Sequence, residues 1–363
     1  MDIANVEEKN GKLSFDITNV LLPYVNGIRR TILSDINVIG IKGFPHDDCD
    51  IKIHENNTNL NNEIIKHRIS CIPIHIFEPS NTQWKKLKLV LNIKNETDHI
   101  IPVTSDNFSI VDIESGNKIN DTMTKKIFPP DPITKDYVLI AYLNPVSDKM
   151  KKTNQLYFEC TFSVVNPRIN SVYNCVSNVN FSNIIDVEKQ EIAWAEYQKT
   201  LTDPEIDIDK EKQNWKLVKG QHYFLDNAYN ITIKSIGFYK NNEILLSACD
   251  VLVNKLTNIS IKKGIKIENS KKTVIKNSFD VVMENESYTI GNIIKKTIFD
   301  MFYTKDVSYV GFIVEHPHDP HSILRISYNT TVDVDYVHQT LDIACKESIQ
   351  KVNEIKKLIT ENI

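Results

Sequence analysis

The chain has 363 residues, 41% of them hydrophobic, which is too long for one ordinary core and too apolar for disorder, so two or three packed domains are expected. Its 43 basic and 47 acidic residues leave a formal net charge of -4 and a pI near 6.2, which excludes the whole-molecule field of a nucleic-acid binder. Six cysteines, Cys49, Cys71, Cys160, Cys175, Cys249 and Cys345, contain no C-x-x-C pair, which excludes a disulfide scaffold or a zinc knuckle and points to a reducing compartment.

The first ten residues, MDIANVEEKN, are polar and acidic where a signal peptide needs a basic start and an apolar run, and no stretch reaches the roughly 18 apolar residues of a membrane span. An intracellular, soluble protein is the expectation. Residues 12–22 alternate apolar with polar and predict a strand. Tyr24 to Ile39 carries Ile28, Ile32 and Ile36 at helical spacing, which predicts a helix whose other face bears Arg29 and Arg30. A second short helix is predicted from Asn61 to Cys71, with Ile64, Ile65 and Ile69 as its apolar positions and Pro73 as its stop.

From about Phe77 to Pro167 the pattern changes to short apolar runs, LKLVLNI, FSIVDI, DYVLIAYL and LYFECTFSVV, which predict a β-rich middle domain. The prolines of IFPPDPITKDY mark a loop or an edge. A helix is predicted around Glu188 to Gln198, followed by the charged connection TDPEIDIDKEKQ, whose acidic run Asp207 to Glu211 reads as a solvated linker. Strand-helix alternation then returns. HYFLDNAYNITIKSIGFYK reads as a strand and Glu243 to Leu256 as a helix with Leu245, Ala248, Leu252 and Leu256 on one face. After a polar linker at 257–274, SFDVVMENE predicts a strand, Thr289 to Tyr303 a helix, VSYVGFIVEH and ILRISYNT strands, and Val334 to Ile359 a long closing helix. On that last helix Val337, Leu341, Ala344, Cys345, Ile349, Val352, Ile355 and Leu358 recur at spacings of three and four. Two small sheet-and-helix units are therefore expected, one of them interrupted, and each must cover its helical face. Joined in one chain, they can cover each other at high effective concentration.

Four segments carry a specific resemblance. Val25-Asn26-Gly27-Ile28-Arg29-Arg30-Thr31-Ile32-Leu33 and the run from Asn57 to Ile74 resemble the signature of the alpha-like subunits of cellular RNA polymerases, such as the third-largest subunit of RNA polymerase II. Glu284-Asn285-Glu286-Ser287-Tyr288-Thr289-Ile290-Gly291-Asn292 and Val310-Gly311-Phe312-Ile313-Val314-Glu315-His316-Pro317 resemble the signature of its smaller partner, the eleventh subunit. Together the chain resembles both partners fused in order, as in large DNA viruses of eukaryotes. The resemblance implies an α+β protein with two RNA-polymerase-alpha-type dimerisation domains, small sheets with helices packed on one face. The first is discontinuous, 10–76 plus 215–256, and is interrupted by a β-rich inserted domain at 77–214, where TFSVVNP resembles the family's K-F-S-P-V segment. A linker at 257–274 leads to the second, at 275–363.

The implied function is that of a non-catalytic assembly subunit of a DNA-directed RNA polymerase in transcription. Its implied partners are the two large catalytic subunits and small subunits equivalent to the tenth and twelfth of RNA polymerase II, with DNA touched only indirectly. No cofactor is implied in this chain, and magnesium is expected in the partner catalytic subunit. In a viral setting the implied location is virion and host cytoplasm, with the nucleus as a further compartment. The implied subunit-interface residues are Asn26, Arg29, Arg30, Glu63, His67, Arg68, Glu286, Thr289, Gly291, Asn292, His316 and Pro317. Planar guanidinium groups at Arg29, Arg30 and Arg68 suit paired hydrogen bonds to a partner's carboxylates or carbonyls. Glu63 and His67, at i and i+4, can instead form a local pair. Gly291 is expected to admit a crossing helix and Asn292 to bond a partner backbone. The sequence departs from the family at Tyr288, where histidine is usual, and in the inserted domain, where only Cys160 and Cys175 stand in place of a metal-binding cysteine cluster.

Catalytic patterns are absent: Asp47-Asp48-Cys49-Asp50 lacks the spacing of a metal-binding carboxylate set, Gly291-Asn292 has no phosphate-loop context, and neither G-x-S-x-G nor H-E-x-x-H occurs. The alternatives are a metal-binding enzyme or regulator using the loop from His316 to His321, which holds three histidines and Asp319, and a free-standing protein-interaction adaptor.

Overall fold

The chain opens on a hairpin. Strand β1 (Asp2–Lys9) turns through Asn10 and Gly11, both at positive φ (52° and 72°), into β2 (Lys12–Thr18). This is the Asn-Gly turn whose twist matches paired strands. Helix α1 (Leu22–Ser34) follows, with Pro23 in its first turn, where a missing N–H costs nothing. It stops five residues before the end predicted from Ile28, Ile32 and Ile36. Residues 38–40 form instead strand β3 (Val38–Gly40), buried throughout and paired with a later strand, an arrangement that suits β-branched Val38 and Ile39. Next come β4 (Ile51–Asn56) and α2 (Asn62–Ser70), capped by Asn61, whose side chain accepts from the Ile64 N–H at 3.0 Å. Ile65 and Ile69 of α2 are buried, whereas Ile64 is exposed.

The middle of the chain is β-rich, as predicted: β5 (Leu87–Asn95), β6 (Ile101–Thr104), β7 (Ser109–Asp112), the short α3 (Asp121–Ile127), β8 (Leu139–Leu143), β9 (Asn154–Thr161) and β10 (Ser163–Val165). Then follow β11 (Val176–Ile185), α4 (Val187–Gln198), α5 (Ile208–Leu217), β12 (Phe224–Ser235) and α6 (Asn241–Ile261). The last part holds β13 (Lys266–Asn269), β14 (Ser278–Glu284), α7 (Tyr288–Phe302), β15 (Val307–Ile313), β16 (His321–Tyr328) and α8 (Val334–Asn362). This computed structural model describes residues 1–76, 82–145, 154–201, 207–237, 239–261, 265–270 and 274–363. The expected start of the inserted domain at Phe77 and parts of the 202–213 connection and the 257–274 linker lie outside the described residues.

The acidic run Asp207 to Glu211 is largely exposed, as expected, but it is the start of a helix and not a linker. Asp207 caps α5, accepting from the Lys210 N–H at 3.3 Å, and Asp209 and Glu211 occupy the first turn, where the helix dipole favours negative charge. Nor is 257–274 all linker: α6 runs on to Ile261, and β13 pairs with β14.

Contacts divide the chain into two compact units. One comprises Met1–Leu33, Val176–Ser235 and Asn241–Ile363; the other comprises Ser34–Cys175 and Ile236–Lys240. The divisions fall elsewhere than at the 76/77 and 214/215 boundaries read from the sequence, because strand pairing governs them. Within the second unit β4 joins the sheet β4-β9-β5-β7, which carries residues 51–56 into the β-rich body. Its core includes Ile65, Ile69, Leu89, Leu91, Phe158 and Cys160. Within the first unit β11 pairs along β12, which draws residues 176–185 to that sheet.

The first unit holds two four-stranded antiparallel sheets, β1-β2-β12-β11 and β13-β14-β16-β15. Their orders correspond strand for strand, and so do the helices: α1 follows β2 as α7 follows β14, and α6 follows β12 as α8 follows β16. The alternation of β2 buries Leu13, Phe15 and Ile17, and that of β16 buries Leu324 and Ile326. Helices α6 and α8 pack together, with α7 against both.

Candidate subunit interface

Helix α1 buries Tyr24, Val25, Gly27, Ile28, Thr31 and Ile32, which leaves Asn26 and Arg29 half-buried and Arg30 exposed. The Arg29 Nε donates to Asn26 Oδ1, one turn back, at 3.0 Å. Burial, and then the neighbouring charge of Arg30, push the Arg29 guanidinium below its ordinary pKa. The Arg30 Nε donates to Thr289 Oγ1 at 3.0 Å, joining two segments 259 residues apart. Thr289 is buried at the second position of α7, and its N–H donates to Oγ of the capping residue Ser287 at 3.3 Å. Beside it Glu286 forms an ion pair with Lys255 of α6 at 3.9 Å. Arg30 of α1 and Thr289 of α7 are thereby brought together, while Glu286, just before α7, is tied to α6.

Beneath this surface lie contacts that sequence reasoning missed. The hydroxyls of Tyr24 and Thr297 are 2.9 Å apart, those of Thr297 and Ser348 3.0 Å, and Tyr24 Oη donates to Ser348 Oγ at 3.4 Å, all three residues being buried. Thr297 Oγ1 also donates to the Ile293 carbonyl at 3.0 Å and Ser348 Oγ to the Ala344 carbonyl at 2.8 Å. With those two protons committed, the Tyr24 O–H is the donor that ties α1 to α7 and α8. A sequence signal existed: Thr297 and Ser348 stand on apolar helical stripes, and a hydroxyl there needs a partner. Helices α6 and α8 run antiparallel, joined by Ser260 to Asp342 and by Lys356 to Asp250.

Gly291 does not admit a crossing helix. A Cβ there would lie 2.4 Å from the ring of Phe312, so the glycine makes room for β15 of its own sheet. The close approach between helices occurs instead at Gly27, where a Cβ would lie 2.9 Å from Ile293 Cδ1 and 3.9 Å from Leu252 Cδ1. Asn292 is half-buried on α7. Tyr288 packs edge-on against Phe312, with ring centroids 5.3 Å apart, and its hydroxyl accepts from the Val314 N–H at 3.4 Å. His316 and Pro317 are exposed in the turn after β15, where His316 Nδ1 accepts from the His318 N–H at 3.2 Å. Among the described residues no group of three or more His, Cys, Asp or Glu side chains is placed to hold a metal ion, this loop included.

Glu63, His67 and Arg68 lie in the second unit, exposed on α2. No ion pair joins Glu63 to His67 among the described residues; His67 Nε2 instead lies 3.9 Å from Cys71 Sγ. Arg68 Nη1 donates to the Ile140 carbonyl on β8 at 2.9 Å.

Residues 278–358, from the first residue of β14 into α8, match the family model of the RNA polymerase Rpb3/Rpb11 dimerisation domain. The chain therefore carries a dimerisation-domain-like segment of RNA polymerase type, in an α+β fold of small antiparallel sheets and packed helices. It is also similar to a protein of Tetrahymena thermophila named "Conjugation stage-specific protein", 24% identical over 227 residues. That match covers 59% of this chain and 63% of the relative, so the chain spans less than two thirds of that protein's length. Among the described residues no helix is long and apolar enough to cross a membrane.

Proposed function

We propose that this chain is a non-catalytic assembly subunit of a DNA-directed RNA polymerase. In this reading β2, α1, β11, β12 and α6 form one alpha-like module, β14 to α8 form its smaller partner, and the body at 34–175 is an insertion in the first. The two modules pair within one polypeptide, and their joint surface docks the two large catalytic subunits, which hold the magnesium and make the phosphodiester bond. Arg29, Asn26 and the exposed part of Arg30 are the docking groups of the first module, with Glu63, His67 and Arg68 as those of the inserted body. Glu286, Thr289 and Asn292 belong to the pairing surface, and Gly291 and His316-Pro317 shape the second module. The observation that carries the reading is the hydrogen bond from Arg30 to Thr289, because it joins a motif resembling one subunit to a motif inside the matched dimerisation segment.

Affinity capture of the full chain from its native source tests this. Two large chains with polymerase activity should co-purify, and Arg29→Ala should weaken their capture by about tenfold or more, as expected of an arginine at the centre of an interface. Recovery of the chain without large subunits, or only with proteins unrelated to transcription, would overturn it and leave the free-standing adaptor.

A further inference from the structure

Helices α1 and α7 carry the same residue pattern in opposite halves of the chain. Asn26-Gly27-Ile28-Arg29-Arg30-Thr31-Ile32-Leu33 aligns without gaps on Asn292-Ile293-Ile294-Lys295-Lys296-Thr297-Ile298-Phe299, with Asn, Ile, Thr and Ile identical and both basic pairs kept. Burial follows the alignment: Ile28 and Ile294, Thr31 and Thr297, and Ile32 and Ile298 are all buried. The contacts between the helices run antiparallel, Tyr24 to Thr297, Gly27 to Ile293 and Arg30 to Thr289. Gly27 and Ile293 are equivalent positions in the alignment and they meet each other, so they sit where a two-fold axis relating the helices would pass. At such a point two like helices would place identical residues face to face.

We propose that Gly27 and Ile293 are a matched hole and knob at this local two-fold, a specificity pair that fits α1 to α7 and to neither helix's own copy. Glycine against glycine would leave a void, and isoleucine against isoleucine would overfill the same space. Only the unlike pair fills it, with Ile293 fully buried and its Cδ1 occupying the room that a side chain on Gly27 would need. The buried hydroxyls break the symmetry in the same sense. Thr297 receives Tyr24, whereas the residue aligned with Tyr24 in the second half is Ile290, and among the described residues Thr31 Oγ1 has no hydrogen-bond partner. Each half thus presents what the other half, not a second copy of itself, completes. The inference rests on the paired-module reading above.

Moving one methyl group across the contact tests it in the full-length protein. Ile293→Val removes Cδ1, the atom nearest the Gly27 position, and Gly27→Ala adds the Cβ that Cδ1 blocks. The higher helix propensity of alanine is the same in both backgrounds and cancels in the comparison. The expected result is that Gly27→Ala shifts the thermal midpoint more favourably in the Ile293→Val background than in the native one, by about 2 °C or more. Equal shifts in the two backgrounds would overturn the proposal. Loss of large-subunit capture would sink the polymerase reading without altering this coupling, so the two failures are distinguishable.

Discussion

Thr31 and Thr297 occupy aligned positions on α1 and α7, are both buried, and should respond to valine in opposite ways. Thr297 Oγ1 accepts from Tyr24 and donates to the Ile293 carbonyl, so Thr297→Val should cost about 1–2 kcal/mol, while Thr31→Val removes a buried hydroxyl with no hydrogen-bond partner among the described residues and should be neutral or stabilising. Urea unfolding of the two variants checks the contrast, and equal losses would refute it. On the second sheet Asp280 and Arg325 face each other across β14 and β16, with Nε and Nη2 of the arginine donating to the two carboxylate oxygens at 2.6 and 2.8 Å. Burial works to raise the Asp280 pKa, but the hydrogen bonds from Arg325 and Ser270 outweigh it and leave the value below normal. The folded-state pKa is depressed, so the stabilisation is complete above the unfolded value of roughly 4 and is lost as pH falls through the lower, folded one. Asp280→Asn should therefore lower the midpoint at pH 7 and leave a smaller difference from the native chain near pH 3. The thiols of Cys249 and Cys345, pushed up to about 12 by burial, should resist alkylation in the native protein, whereas the exposed Cys71 should react, as mass spectrometry of labelled peptides would reveal.

Helix α5 illustrates how an element can hide in a charged run. Its ten residues, IDKEKQNWKL, bury one side chain, Trp215, and owe their start to the Asp207 cap. Trp215 then packs with Trp194 of α4, ring centroids 5.5 Å apart, and with Tyr197 and Tyr223. Asp207→Ala should cost about 1 kcal/mol locally, read as a change in tryptophan fluorescence at temperatures below global unfolding. An unchanged spectrum throughout that range would show that the aromatic cluster, and not the cap, holds α5. In α8 the predicted apolar stripe is present, but the innermost line includes Thr340 and Ser348 and ends on Ile359, while Ile349 and Leu358 are only partly covered. Ser348 is there because α7 and α1 supply hydroxyl partners, a condition that periodicity along one helix does not express, whereas Thr340 Oγ1 donates to the Tyr336 carbonyl of its own helix at 2.9 Å.

At the scale of the whole molecule, the first unit depends on both of its halves. Helix α8 packs along α6, and α7 meets α1 at Tyr24 and Gly27, so removing residues 275–363 would uncover apolar surface on both helices. The truncated chain should be insoluble or self-associated, and a soluble monomer that still captured the large subunits would contradict the paired-module reading. The residue pattern by itself determined the local elements, since alternation in β2, the Asn61 cap of α2 and the three-and-four spacing of α8 are properties of short windows. It also carried, in four short segments, the resemblance that the match over 278–358 bears out for one dimerisation domain. Only the tertiary structure decided where α1 ends, because β3 is fixed by pairing with a strand more than a hundred residues away, and which glycine meets a helix, because Phe312 fills the space at Gly291 and Ile293 the space at Gly27. Long-range pairing and the shape of a shared contact are set by two partners at once, and a single stretch of sequence states only one of them.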